Sequence, residues 1–157
     1  MRAILSLAAV ALLAVLGTAR AEAAEVFGVW LTEAQDAHVE IYRCTDPAMG
    51  AVCGRVIWIK DAVNPDRSPA PSIEGVHDVY NPDPALRGRK LLGMDFMWDF
   101  KADPDNPGAY YDGHIYNAQD GKTYRAKMSL KNDNTLLLRG YVLITLFGES
   151  ETWTRVK

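Results

Sequence analysis

The stretch that decides the fold runs from Tyr110 to Leu130, YYDGHIYNAQDGKTYRAKMSL. Two strand-like runs flank Asp120-Gly121, a pair suited to the positive φ angles of a tight hairpin turn. The second run alternates. Tyr124, Ala126, Met128 and Leu130 fall on one face, and Thr123, Arg125, Lys127 and Ser129 on the other. A period of two residues with one apolar and one polar face predicts a strand that is dry on one side and wet on the other. The remainder reads as further strands added to either side of this hairpin.

Toward the N-terminus, Val26 to Thr32 carries Gly28-Val29-Trp30, and Ala37 to Arg43 sets Val39 and Ile41 against His38, Glu40 and Tyr42. Gly54 to Lys60 (GRVIWIK) is apolar on both faces, which predicts a strand covered from both sides. The predicted cover is the next segment, Asp61 to Arg89. It has no period, is dense in Pro, Asp, Asn and Ser, and repeats Asn-Pro-Asp at Asn64 and Asn81. Its prolines exclude it from a central strand. It reads as a long flap, partly ordered through Ile73, Val76, Val79, Tyr80 and Leu86, with a disordered loop as the alternative. Lys90 to Phe100 resumes regular structure, with Gly93 marking a bend, and Ala102 to Gly108 turns the chain. Beyond the hairpin, Asn132-Asp133 is a second turn and Thr135 to Val142 a strand with Leu136, Leu138 and Val142 on one face. Leu143 to Phe147 is an apolar corner, and Glu149 to Val156 closes the chain. About eight strands and no helical period predict an all-β fold, an up-and-down antiparallel eight-stranded barrel with one long flap loop. A two-sheet sandwich is the alternative.

Met1-Arg2, the apolar run Ile4 to Leu16 and the small residues around Ala21-Glu22-Ala23 predict a signal peptide over residues 1–23. One domain over residues 24–157 remains, expected to be secreted or periplasmic, within the bacterial cell envelope. The chain has 17 basic and 20 acidic side chains. Without Arg2, Arg20 and Glu22 the balance is 15 to 19, with no basic cluster to neutralise phosphates, which argues against nucleic acid. No membrane span is expected after signal cleavage. Cys44 and Cys53, an even pair in an exported chain, read as one structural disulfide. Closing so short a loop contributes about 2.5–3 kcal/mol by loop entropy.

His38, His77 and His114 sit in separate segments without metal-ligand spacing, so no metal and no cofactor are expected. Asp103-x-Asp105-Asn106 resembles a calcium loop, but Pro104, Pro107 and the missing downstream glutamate favour a solvated turn. No nucleophile elbow and no catalytic constellation stand out, so no catalytic residue is named and the chain is not expected to be an enzyme.

Gly28-x-Trp30 near the first strand and Arg155 in the last resemble the barrel-closing signature of lipocalins and their calycin relatives. That resemblance implies a tryptophan at the closed end beneath a basic side chain from the final strand. A wider resemblance covers nearly the whole mature chain, through Cys53-Gly54-Arg55-Val56-Ile57-Trp58, Asn81-Pro82-Asp83 with Leu86-Arg87, and Leu92-Gly93. It continues in Gly113-His114-Ile115-Tyr116, Asp120-Gly121-Lys122-Thr123-Tyr124, Arg139-Gly140-Tyr141, and Phe147-Gly148 through Trp153-Thr154-Arg155. These pieces resemble a small exported bacterial family classed as a domain of unknown function, with a lipocalin-like barrel. Ala48-Met49-Gly50 in the cysteine loop and the length of the flap depart from its pattern.

A barrel of this size is either filled by side chains or holds one small ligand. The expected function is non-catalytic binding of a small apolar or amphipathic molecule between barrel mouth and flap. Trp58, Trp98 and Tyr116 would supply aromatic walls, and Asp83, Arg87 and Arg89 polar orientation. For the Asn81-Pro82-Asp83 segment the plainer reading is a rigid turn with an arginine paired to Asp83. The alternative function is an envelope protein-interaction module, solid inside, with Leu143 to Phe147 as contact patch.

Overall fold

The computed structural model describes residues 25–142 and 148–156; the segment 1–23 expected to be a signal peptide and the Leu143 to Phe147 corner lie outside them. The Tyr110–Leu130 stretch forms strands β6 (Ala109–Asn117) and β7 (Lys122–Asn132), paired antiparallel with Asn117 opposite Lys122. The alternation in β7 is observed: Ala126 and Met128 are buried, and Arg125 and Lys127 are exposed. The turn is longer than the Asp120-Gly121 pair predicts. It takes four residues, Ala118 to Gly121, because the Asn117 and Asp120 side chains accept from the Gln119 and Lys122 amides. Only Gly121 has positive φ, and a Cβ there would overlap the carbonyl of Tyr80 in the flap.

Strands β1 (Gly28–Leu31), β2 (Ala37–Arg43), β3 (Val52–Ile59) and β4 (Asp95–Trp98) precede the hairpin, with a short β5 (Lys101–Ala102) between. Strands β8 (Thr135–Tyr141) and β9 (Gly148–Arg155) follow it. Each strand pairs antiparallel with its successor in the chain, except that β4 and β5 both pair with β6 as two pieces of one strand. Asp99, with φ of 59°, breaks that strand and turns Phe100 into the core. Strand β9 returns to β1, Trp30 facing Arg155, so the sheet closes as an eight-stranded up-and-down barrel. Closure excludes the sandwich. Among the described residues the only helical pieces are three single 3-10 turns.

One end of the barrel is solid. Val26, Trp30, Ile41, Val52, Met97, Phe100, Met128 and Leu136 form a buried cluster there. The Arg155 guanidinium lies 4.2 Å over the Trp30 ring and donates to the carbonyls of Glu25, Phe27 and Asp133. Gly28 stands beside it at φ of 126°, and a Cβ there would come within 2.7 Å of Arg155 Nη1. The Cys44–Cys53 disulfide joins β2 to β3 at the same end.

The 61–89 segment lies across the other end rather than over the outer face of β3, where Ile57 remains 38% exposed. Val76 is buried with Leu91, Met94 and Tyr116, whereas Tyr80 and Leu86 are exposed. Both Asn-Pro-Asp turns are held by their own side chains. Asn64 accepts from the His77 amide and Asp66 from Ser68; Asn81 accepts from the Asp83 amide and Asp83 from Ala85. The Asp103 turn is likewise closed locally, its carboxylate accepting from the Asp105 amide and the Asn106 side chain.

Candidate functional site

Alternation puts Val39, Val56, Ile59, Ile115, Leu138 and Trp153 on the inner wall of the mouth half, above the solid plug. The flap adds Val76, the segment leading into β4 adds Leu91 and Met94, and β4 itself adds Phe96. Together they line an open-mouthed cavity of about 640 Å³. That lies within the range of small-molecule sites, about 300–1,000 Å³. Its rim is polar, with Thr32 and Asp36 before β2, Asp61 after β3, Asn64 and Arg67 on the flap, and Asn117, Gln119, Tyr124, Glu149 and Glu151 across the mouth.

A buried carboxylate fastens the flap over this space. Asp78 is fully buried, and it accepts from Tyr116 Oη (2.6 Å), Arg89 Nη2 (2.7 Å) and Asn81 Nδ2 (2.8 Å). A buried charge is tolerated when it is paired and its lone pairs are filled. Two of the donors belong to the flap region and the third to β6, so the carboxylate joins flap to barrel wall. Burial, then the hydrogen bond to Asp78 and its negative charge, push the Tyr116 hydroxyl up to about 12. Near the rim, the hydrogen bond to Asp120 raises the Tyr124 hydroxyl, with burial and the charges of Asp120 and Glu149 adding to it.

Of the six residues picked from sequence for ligand contact, Tyr116 lines the cavity and the other five lie elsewhere. Trp58 lies on the outer face beside His38 at 4.6 Å, and Trp98 lies outside the cavity, stacked on His114 at 5.5 Å and packed against the cluster of Val76, Leu91, Met94 and Tyr116. Two bulges cause this. Ile57 is an extra residue between the His38–Trp58 and Val39–Val56 pairs, and Phe96 is extra between the Gly54–Met97 and Arg55–Asp95 pairs. Each bulge inverts the alternation beyond it, so a tryptophan that regular pleating would turn inward points out. Asp83 caps a 3-10 turn, Arg87 donates to the Asn81 carbonyl, and Arg89 holds Asp78. The segment is thus a rigid turn, but its ion pair uses Asp78 in place of Asp83.

Asp78 and the rim carboxylates Asp36, Asp61, Glu149 and Glu151 escaped the sequence reading. Asp78 carries no motif; only its neighbourhood of isolated apolar residues inside a proline-rich loop hinted at burial. Among the described residues no three His, Cys, Asp or Glu side chains converge as metal ligands would.

No curated protein matches the chain. A solved structure, described as "Protein HP1028 from the human pathogen Helicobacter pylori belongs to the lipocalin family", superposes with a TM-score of 0.65 at 25% identity. The likeness covers 85% of this chain and 84% of that one. Residues 28–155, from the glycine of the first strand to the arginine of the last, match a family described as "Uncharacterized protein conserved in bacteria (DUF2147)", and the chain belongs to that family.

Proposed function

We propose that the protein is an exported, non-catalytic binder of a small apolar or amphipathic molecule in the bacterial cell envelope. The observation that carries this reading is the cavity of about 640 Å³ between the plugged half of the barrel and the flap, with an aliphatic and aromatic wall. The lipocalin-like architecture supports it, as does a flap held down by an internal ion pair, which spares the bound state the cost of ordering a loop. The bacterial family and the Cys44–Cys53 disulfide support export, since such bonds persist in oxidising compartments. The leader of residues 1–23 would direct it. The polar contacts come from the rim and Tyr116 rather than from Asp83, Arg87 and Arg89.

The test is a titration with N-phenyl-1-naphthylamine, an uncharged apolar fluorophore, against the wild type and two cavity-filling variants, Leu138→Trp and Val56→Trp. Trp58→Phe, on the outer wall, is the control. Binding to the wild type and the control, weakened at least about tenfold in variants that keep their β-sheet circular dichroism, is the expected result. Equal binding to folded filled variants would refute the assignment. Native mass spectrometry of protein purified from its own envelope should show a retained small molecule.

A further inference from the structure

We infer that the molecule bound in this cavity carries a positive charge: a cationic amphiphile with its apolar body in the barrel and its ammonium-like head at the rim. This rests on the binding role proposed above and names the class of ligand. The wall below the rim carries no ionised group. Among the described residues, the charged ones bordering the cavity are Asp36, Asp61, Glu149 and Glu151, opposed by Arg67. They sit on four separate stretches of chain: the β1–β2 loop, the residues just after β3, the flap turn and β9. They encircle the opening instead of converging on a point, so they set the sign of the potential there without forming a chelating site. All five side chains are exposed, free to approach a head group at the entrance.

The sign persists one step further out. The loops around the mouth add Glu33, Asp66 and Asp120 against Lys60 and Lys122, and the rest of the flap adds Glu74, Asp78 and Asp83 against Arg87 and Arg89, which makes ten carboxylates against five cations among the described residues; the sequence 143–147 is uncharged. Several of these carboxylates already accept hydrogen bonds: Asp36 from Thr32 Oγ1, Glu151 from Trp153 Nε1, Glu33 from the Thr152 amide, Asp66 from Ser68, and Asp120 from the Lys122 amide and Tyr124 Oη. All these donors are neutral, so none cancels the charge. An anionic amphiphile, the usual fatty-acid type included, would place its head against this ring. A low-dielectric wall beneath charges of one sign focuses their field on the opening.

The test compares three ten-carbon probes below their micelle concentrations by calorimetry on the full protein: decyltrimethylammonium, 1-decanol and decanoate. The expected order is cation, then alcohol, then anion. The cation should bind about tenfold tighter than the alcohol at low salt, and the gap should shrink as salt is added. Asp61→Asn with Glu149→Gln should reduce the cation's advantage several-fold and leave 1-decanol unchanged. Arg67→Gln should enlarge it. These sites are exposed, so the variants fold. If 1-decanol binds and the cation binds no tighter, or if the rim variants leave the gap unchanged, the inference fails while the binding role stands. If none of the three probes binds, the binding role fails first and takes this inference with it.

Discussion

Replacing Asp78 by alanine should loosen the flap more than any other single change. Three donors end on this carboxylate, at 2.6 to 2.8 Å. Alanine strands the Tyr116 hydroxyl and the Asn81 amide where water scarcely reaches, their residues being 9% and 4% exposed. Each stranded buried donor costs about 1–3 kcal/mol. The Arg89 side chain is 38% exposed and can rehydrate, so it adds little. The two together amount to about 2–6 kcal/mol, a range that contains the roughly 3–5 kcal/mol found when one partner of a buried pair is removed. For a domain of about 130 residues a loss of about 3–5 kcal/mol lowers the melting temperature by about 11–18 °C if the flap and barrel unfold together. If the flap opens alone, melting hardly changes, and amide exchange between His77 and Leu91 speeds up by more than about a hundredfold instead. Tyr116→Phe, which removes one donor and leaves the carboxylate two, should cost about 1–2 kcal/mol. Thermal melts and exchange mass spectrometry read both routes. An Asp78→Ala protein with unchanged melting and unchanged exchange would refute the claim that this carboxylate holds the flap.

Arg155→Ala exposes the Trp30 ring and removes the donor to three main-chain carbonyls, so urea denaturation should show a loss of about 2–4 kcal/mol. Arg155→Lys should recover less than half of it, because an ammonium cannot reproduce the guanidinium fork; full recovery would show that charge alone matters. Reducing the Cys44–Cys53 bond, or replacing both cysteines by serine, should cost about 2.5–3 kcal/mol in the same assay. It should leave binding at the opposite end intact, and an unmoved urea midpoint would contradict it. At alkaline pH the sign follows from a raised folded-state value. The Tyr116 hydroxyl titrates near 12 in the barrel against an ordinary 10.0, so its contribution is complete below pH 10 and lost as pH climbs toward 12. The wild type should therefore lose up to about 2 kcal/mol more than Tyr116→Phe over that interval. Parallel alkaline limbs would rule this out.

The architecture was readable because it rests on period. Tyr124 to Leu130 alternates without a break, and so do Val39 and Ile41 in β2, and these strands behave as their pattern implies. The lipocalin-like closure was readable through Gly28 and Trp30, where a glycine stands two positions before a large aromatic. The site was less readable, since its geometry depends on two departures from that period. Ile57 and Phe96 are ordinary strand residues, and nothing in their identity says that the partner strand skips them. Once it does, Trp58 and Trp98 exchange inside for outside, and the aromatic part of the wall comes from Phe96, Tyr116 and Trp153 instead. Asp78 was hidden for a different reason. A buried carboxylate is defined by its donors, and Tyr116 is 38 positions away in the chain.

The seam of the tube lies between its earliest and latest strands, and it is short: Trp30 meets Arg155 and Leu31 meets Thr154. A polypeptide threaded residue by residue from a ribosome therefore cannot shut the cylinder until Thr154 and Arg155 of β9 have emerged. Until then β1 has β2 on one flank and an unsatisfied edge on the other, an invitation to pair with a neighbouring chain. Maturation waits on a contact spanning almost the whole sequence, which predicts slow acquisition of the native state and a need for protection while the seam stands open.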